Sequence, residues 1–537
     1  MKKRSILWAA LAGALAIAVV GSGAAATGSS NAAGVLRMSI PGEPPSLDPG
    51  LATDSTSASI LLNIMDPLVK LGPAPELKAV PSAAQSWIVK GTTVTLRLRK
   101  DVRWTNGQPV TAQDYVWSWL RTISPELGAD YAYQFFGIKG AGEYNSCDPA
   151  KANCNAMRSK VGISAPDKYT LRIQLTSAQP WFIQQLNHQS FLPVHRATVE
   201  KYGKKWTEAP NIVTDGAFRL ASWKHDASLE LVKDPKWRDA KSIKLNRIVM
   251  SIITEATTAQ NAFDAGNIDI NETGVDPSAI PKYKKTPYWK VWPSLSTYYY
   301  GFNVKTISDV NQRRAMAFAI DRKAITRYIT QAGQVPARGF TNNGIAGAPT
   351  ILKNSVLPAV ADLTKAKEFM AKVKNPKKDI NLYVNNSTGH IQIATAIQNY
   401  WQQLGLNVNI KVQEWKQFLE FLGPPPNDDV DVYRNGWQYD YPDAYNGLEL
   451  FKCKSGNNNT NWCNPKFDKL VEQSANIRDT DTRTGLYQQA ENILTGANGD
   501  MPIMPIYWYT ETALVRQNVK GYIPHNGLWD LTRVSVS

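Results

Sequence analysis

Residues 365–412 alternate between the periodicity of a helix and that of a strand. Apolar side chains recur there at helical spacing, at Ile393, Ile397, Tyr400, Trp401 and Leu404. Gly405 stands where such a helix would end, and a strand pattern over 407–412 follows at once. A helical pattern over 365–373 and a strand pattern over 380–384 come before. The stretch therefore predicts a β-α-β element, which is typical of an α/β fold.

Other segments of the chain extend this alternation. Residues 94–99 and 170–175 alternate at period two, as strands do. A helix is predicted over 481–494, before an extended stretch over 504–515. With 537 residues, 43% of them hydrophobic, the chain can bury a large core, and its length favours about three domains.

The N-terminus has the pattern of a secretory signal. A basic start, Lys2-Lys3-Arg4, precedes an uncharged run over 6–20 and small residues over 21–26. The apolar run is shorter than the roughly 20 residues of a membrane span. We interpret 1–26 as a signal peptide and 27–34, rich in Gly, Ala and Ser, as a flexible tether.

Two fates of the signal remain open. Residues 24–26 (AAA) offer a cleavage site, whereas residues 19–22 (VVGS) resemble a bacterial lipoprotein box with Ser22 in place of the lipidated cysteine. Without a thiol no thioether lipid can form. The mature protein is therefore predicted to be exported, and to be periplasmic, associated with the cell surface or secreted.

Four cysteines form two close pairs, Cys147 with Cys154 and Cys453 with Cys463. In an exported chain this spacing indicates two local disulfides. Each short loop closure would contribute about 2–3 kcal/mol to stability. Zinc binding is the alternative, but neither pair has a histidine beside it or the C-x2-C spacing.

The formal charge of +15 is dispersed along the chain, so it does not favour nucleic-acid binding. Motifs for a nucleophilic serine, a zinc protease or a nucleotide-binding loop are absent from the sequence. A hydrolase would have to use the neighbouring carboxylates Asp440 and Asp443, without a visible nucleophile–base pair. We predict that the protein is not an enzyme and that it binds neither a cofactor nor a metal ion. A transport role would need partner subunits to supply the energy.

Five segments in collinear order carry a family resemblance. They are residues 42–49 (GEPPSLDP), 96–115 (LRLRKDVRWTNGQPVTAQDY), 300–322 (YGFN to RRAMAFAIDR), 404–415 and 436–443 (GWQYDYPD). Together they extend from residue 40 to the C-terminal region. The chain resembles the family 5 extracellular solute-binding proteins of ABC importers, in particular their oligopeptide-binding branch.

The resemblance implies a two-lobed clamp of the periplasmic-binding-protein type (type II, cluster C) with an extra domain. The expected limits are 35–67, 195–300 and 506–537 for lobe I, 68–194 for the extra domain and 301–505 for lobe II. Hinge strands would lie near Tyr300 and Pro505. Such a protein, acting as a monomer, captures short peptides between its lobes and delivers them to ABC permease and ATPase subunits. Relatives that bind oligosaccharides or other solutes, and receptors for peptide signals, are the alternatives.

A zwitterionic peptide needs an anion and a cation, because burying either of its charges unpaired costs several kcal/mol. The resemblance assigns Asp440 to the ammonium group, Arg434 to the carboxylate of short peptides and His390 to that of longer ones. The alternative roles are a turn aspartate, a solvated strand arginine and the first turn of a helix. The resemblance also implies aromatic walls, at Trp415, Trp437 and Tyr131, for which core packing is the alternative.

The chain departs from the oligopeptide-binding branch at three places. Residues 325–334 contain no counterpart of a ligand-binding lysine, and no arginine lies near Leu422. Gln438 stands where the branch has a cysteine of its long-range disulfide. These departures leave the preferred peptide length open. The signature residues Asn303, Arg313, Asp321 and Arg322 are interpreted as architectural.

Overall fold

A computed structural model describes residues 34–72, 77–423, 426–453 and 455–537, with the backbone alone at 415, 416, 419, 420 and 525. The predicted signal peptide, Ser22 and all but the last residue of the predicted tether lie outside the described residues. Among the described helices, none is long and apolar enough to cross a membrane.

The strands form one large sheet and several small ones. Their bounds are β1 Val35–Ile40, β2 Val69–Leu71, β3 Ala79–Pro81, β4 Ala84–Lys90, β5 Thr93–Leu98, β6 Ile163–Asp167, β7 Thr170–Gln174, β8 Phe218–Lys224, β9 Ser228–Lys233, β10 Arg247–Ile252, β11 Ile270–Asn271, β12 Trp289–Phe302, β13 Val335–Pro336, β14 Asp379–Asn385, β15 Asn407–Gln413, β16 Val432–Gln438, β17 Ile503–Val515, β18 Val519–Lys520, β19 Pro524–His525, β20 Leu528–Trp529 and β21 Ser535–Val536.

The helices pack on these sheets. Their bounds are α1 Ser55–Ile64, α2 Ala112–Thr122, α3 Ala141–Asn145, α4 Cys154–Arg158, α5 Phe182–Gln185, α6 Arg196–Tyr202, α7 Ala256–Asp264, α8 Ile280–Tyr283, α9 Val310–Phe318, α10 Arg322–Ala324, α11 Ala348–Ile351, α12 Leu363–Met370, α13 Thr388–Gln402, α14 Trp415–Leu422, α15 Ala444–Leu448, α16 Pro465–Ser474 and α17 Thr480–Thr495. Short 3-10 turns include Asp130–Phe135 and Glu449–Phe451, and Ile325–Thr330 is a π-helical turn.

The predicted β-α-β element is confirmed. Strands β14 and β15 pair in parallel, and α13 connects them. Gly405 has a φ of +76°, a left-handed conformation that suits glycine after a helix end. The strand and helix patterns elsewhere correspond to β5, β7, α17 and β17, each within about two residues of its predicted limits.

The large sheet runs in the order β15-β14-β16-β12-β17-β11-β1-β10-β9-β8. The long strands β12 and β17 lie in its middle, pair with each other, and carry the chain between the two halves. The run Thr297–Tyr300 in β12 is fully buried and rich in tyrosine, a residue that favours strands. The fold is thus the two-lobed α/β clamp that the sequence predicts.

A separate sheet, β4-β5-β7-β6, has a core of its own with α2. Val94, Leu96 and Leu171 from the strands pack in it with Trp119 of α2. The indole N–H of Trp119 donates to the carbonyl of Phe191, 2.9 Å away, so this large side chain is buried without an orphaned donor. The sheet lies within the stretch 68–194, whose exact limits as a domain stay a prediction.

The signature arginines hold backbone together rather than face a ligand. Arg322 is fully buried and donates to the carbonyls of Pro505 at 2.7 Å and Ala317 at 3.1 Å. Arg313 donates to the carbonyls of Asp500 and Ile307, both at 2.7 Å. These bonds hold the segment that leads into β17, and the start of that strand, against the segment that follows β12.

The predicted cysteine pairing is confirmed. Cys147 is bonded to Cys154 and Cys453 to Cys463. The first pair connects the start of the segment after α3 with the first residue of α4. The second closes a loop between the 3-10 turn Glu449–Phe451 and α16, beside the cleft described below.

Candidate functional site

The cleft between the lobes holds three adjoining cavities, which we name A, B and C. Cavity A, of about 650 Å³, is lined by residues from β16 and β17, among them Arg434 and Glu511. The residues that line cavity B, of about 520 Å³, include Asp440 and Tyr131. Those that line cavity C, of about 670 Å³, include Gln134. Trp437 borders all three, so the cavities form one trough around its side chain.

Asp440 is held at the end of β16 by two amide donors. Asn446 Nδ2 and Gln134 Nε2 donate to Asp440 Oδ2 at 3.0 Å and 2.7 Å. The backbone N–H of Asp440 donates to Asn446 Oδ1 at 3.0 Å. Asn446 belongs to α15, whereas Gln134 comes from a 3-10 turn 306 residues away in sequence. These bonds fix the carboxylate toward cavity B before any ligand arrives.

Burial controls the charge of this carboxylate. Removal from water raises the pKa of Asp440 to about 6, against the lowering effect of the hydrogen bonds from Asn446 and Gln134. His188 Nε2 lies 3.7 Å from Asp440 Oδ1, but burial lowers the pKa of His188 to about 3. The imidazole is therefore neutral at pH 7. Asp440 thus has no cationic partner among the described residues.

Arg434 lies further back along β16, in register with Tyr300 of β12. Its side chain lines cavity A, donates to Tyr509 Oη at 3.0 Å and to Asn385 Oδ1 at 3.4 Å, and lies 5.0 Å over the ring of Tyr298. The guanidinium is thereby fixed by neutral groups. Six residues of strand place Asp440 and Arg434 at most about 20 Å apart along the chain.

His390 lies in the first turn of α13, against Tyr298. Its Nδ1 is 3.2 Å from Tyr298 Oη. Among the described residues that line cavities A, B and C, His390 is absent. Burial and, to a smaller extent, the charge of Arg434 lower the pKa of His390 to about 2. A neutral histidine in this position offers a hydrogen bond but no charge to a carboxylate.

Of the predicted aromatic walls, two line the trough. Trp437 Nε1 donates to Asn446 Oδ1 at 2.9 Å, the same amide that holds Asp440. The ring of Tyr131 lies 4.8 Å from that of His188, and Tyr131 lines cavity B. Trp415 begins α14, but its side chain lies outside the described residues.

The second carboxylate of the hydrolase hypothesis is engaged elsewhere. Asp443 caps α15 by accepting from the N–H of Tyr445, at 3.0 Å. It also accepts from Tyr487 Oη at 2.6 Å and pairs with Arg483 at 3.0 Å. The same distances explain why its burial is tolerated. Asp443 therefore has a structural role beside the site.

Several side chains of the trough carry no sequence signal. Gln134, Asn446 and His188 surround Asp440 but match no motif, and only the nearness of Gln134 to Tyr131 could have drawn attention to it. Two glutamates of cavity A, Glu272 and Glu511, interrupt apolar strand patterns, which is the one signal that could have found them. Their positions follow from the tertiary structure.

Comparison with known proteins gives the family. Residues 78–459 match the family of bacterial extracellular solute-binding proteins, family 5. The chain is 32% identical to the oligopeptide-binding protein OppA of Bacillus subtilis over 506 residues, 91% of this chain and 90% of that protein. The chain therefore belongs to the family 5 extracellular solute-binding proteins.

Solved structures agree with this assignment. The murein tripeptide-binding protein MppA of Escherichia coli superimposes with a TM-score of 0.80 at 28% identity, over 94% of this chain and 98% of that one. Haemophilus influenzae OppA, in complex with the peptide RPPGFSPFR, also gives a TM-score of 0.80 at 28% identity, over 94% and 99%. Both relatives bind peptides.

Proposed function

We propose that this protein captures short peptides in the cleft between its lobes and delivers them to an ABC importer. The observation that carries the proposal is Asp440, a buried carboxylate fixed by Gln134 and Asn446 that lacks a cationic partner among the described residues. A peptide ammonium supplies the missing charge, and a charge-assisted bond to a fixed carboxylate is strong. The relatives named above are peptide-binding proteins.

In this proposal Arg434 receives the peptide carboxylate. The trough between Asp440 and Arg434 suits an extended peptide of about three to five residues, at roughly 3.3 Å per residue. His390 borders the Arg434 end and acts on longer peptides through a hydrogen bond. Trp437 and Tyr131 form the walls, and we include Trp415 on the family resemblance.

The wider role follows from the same proposal. The protein is exported, is not an enzyme, works as a monomer and depends on membrane permease and ATPase subunits. Its lobes and extra domain have the limits predicted from the sequence. Closure of the lobes around the peptide would use the strands β12 and β17 as hinges.

Calorimetry tests the proposal. Protein unfolded and refolded to remove carried-over ligand is titrated with di- to hexapeptides. We expect affinity to peak at three to five residues, and Asp440→Asn to abolish it. Asp479→Asn serves as the matched control, because Asp479 caps α17 at the surface and asparagine caps equally well.

Heat from no peptide of any length would contradict the proposal and favour a neutral oligosaccharide in the same cleft. Full affinity in Asp440→Asn would contradict the assignment of the ammonium site. A receptor for peptide signals would give the same titrations, but cells that lack it would take up labelled peptide at an unchanged rate.

A further inference from the structure

Cavity A arises where the ladder between two hinge strands is disturbed. Pro293 of β12 lacks a backbone N–H, and the pairing of β12 with β17 shifts register between Pro293 and Thr297. Ser294 and Ser296 of this irregular stretch line the cavity. Residues Arg434–Gln438 form a second wall, and Trp292 and Trp529 contribute aromatic surface. The result is a roomy cavity in the middle of the large sheet.

Two glutamates line this cavity from different strands. Glu272 directly follows β11, and it accepts from the hydroxyl of Tyr522 and from Trp529 Nε1, the latter at 3.1 Å. Glu511 lies on β17 in register with Trp292 and accepts a hydrogen bond from Ser294. Neither glutamate forms an ion pair with any residue that the structure describes.

It is unfavourable for both glutamates to be ionised in the absence of a ligand. Burial, together with the nearby Glu511, raises the pKa of Glu272 to about 8. Burial raises the pKa of Glu511 to about 7. Two buried acids that compete for protons gain most from a cation placed between them. Arg434 lines the same cavity, but its guanidinium is bonded to Tyr509 and Asn385 and lies on Tyr298.

Cavity A also adjoins the proposed ammonium site. Residues 435–438 line both cavity A and cavity B, where Asp440 lies. A peptide whose ammonium meets Asp440 and whose backbone follows β16 therefore presents a side chain beyond its first residue to cavity A. The chain as a whole carries a formal charge of +15, so this acidic patch is a local feature of the cleft.

Building on the proposed function, we propose that cavity A is a subsite for a positively charged peptide side chain, received by the carboxylates of Glu272 and Glu511. A lysine ammonium or an arginine guanidinium would bind between the two acids, and the indoles of Trp292 and Trp529 would face its methylene stem. The preferred peptides are then those with a basic residue after the first position.

Matched peptides test this subsite. Refolded protein is titrated with Ala-Lys-Ala and with Ala-norleucine-Ala, whose second side chain has the same length of hydrocarbon without the charge. We expect the lysine peptide to bind about tenfold more tightly, as a hydrogen bond to a charged group typically provides. The double variant Glu272→Gln/Glu511→Gln should bind both peptides equally, at the affinity of the norleucine peptide. Glu255→Gln, an exposed glutamate before α7, should keep the tenfold preference.

The norleucine peptide reports whether the variant is folded, because its affinity should not change. Equal affinity of the unmodified protein for the two peptides would overturn the inference, and so would a lysine preference that survives in the double variant. Both results leave the proposed function intact. If neither peptide binds at all, the proposed function itself fails.

Discussion

The two ends of the trough each hold a buried charged side chain, but they stabilise that charge in different ways. At one end Asp440 is buried and fixed by amide donors, and it faces cavity B without a cation among the described residues. At the other end Arg434 is fixed by a hydroxyl, an amide oxygen and the ring of Tyr298. His390, next to it, is neutral because burial lowers its pKa to about 2.

The difference suggests which end selects the ligand. At the Asp440 end of the trough, the charge of the buried carboxylate is not compensated by a cation among the described residues. Burial therefore raises the pKa of Asp440. The guanidinium is already accommodated by neutral partners, so a peptide carboxylate adds less there. We therefore expect recognition of the peptide amine to be strict and recognition of the peptide carboxylate to be tolerant.

The largest expected effect comes from blocking each end of the peptide in turn. Acetylating the amine of a tripeptide leaves Asp440 buried without a cation, which typically costs about 3–5 kcal/mol, or roughly 150- to 5000-fold in affinity. Amidating the carboxylate should cost about tenfold or less. Calorimetry with the two blocked peptides measures both, and equal losses would remove the contrast between the ends.

Acid should weaken binding through the same residue. Because the pKa of Asp440 is about 6 without ligand, its carboxylate is protonated below pH 6 and no longer attracts an ammonium. Affinity should be highest near pH 7 and fall by about tenfold per unit below pH 6, and it should weaken again above about pH 8, where the peptide amine loses its proton. Titrations from pH 5 to 8 check this expectation, and the surface control Asp479→Asn should show the same step.

The stability of the ligand-free protein should depend on pH in the opposite sense to its peptide affinity, again through Asp440. The folded-state pKa of Asp440 lies above the ordinary aspartate value of 3.8, so the unfolded chain gives up this proton first. The contribution of Asp440 to the free energy of unfolding therefore falls as pH rises from about 4 to 6. Ligand-free Asp440→Asn should be at least as stable as the unmodified protein at pH 7. A large fall in its Tm would mean that the carboxylate has a structural role.

A smaller effect is expected from Arg434→Gln. The substitution should weaken binding of a free tripeptide by about tenfold, as for the loss of one charged hydrogen bond, and leave the amidated tripeptide unaffected. A double-mutant cycle of protein and peptide isolates this coupling. Equal losses for both peptides would show that Arg434 acts on the structure of the cleft instead of on the carboxylate.

The smallest effect is expected from His390→Gln. The imidazole is neutral and lines none of the three cavities, so tripeptide affinity should change less than about threefold. Longer peptides are the sharper probe, because the family resemblance places their carboxylate near this residue. A tenfold loss with a pentapeptide alone would extend the tolerant end of the trough to His390.

The sequence by itself determined what depends on short stretches of chain. The alternation of apolar residues predicted α13 and the parallel strands around it, since periodicity is a local property of helices and strands. The spacing of the cysteines was enough to pair Cys147 with Cys154, because a loop this short brings its ends together. Family motifs, which are also local, selected Asp440, Arg434 and Trp437.

The tertiary structure alone decided how these residues are charged and held. Gln134 meets Asp440 across 306 residues of sequence, and Glu272 and Glu511 meet in one cavity from strands far apart in the chain. A carboxylate at the surface is solvated by water, whereas a buried carboxylate needs hydrogen-bond donors or a cation. The packing of the lobes determines how far each carboxylate is removed from water. The pKa of Asp440 and the acidic character of cavity A are therefore properties of the folded cleft, because desolvation depends on every element that surrounds a group.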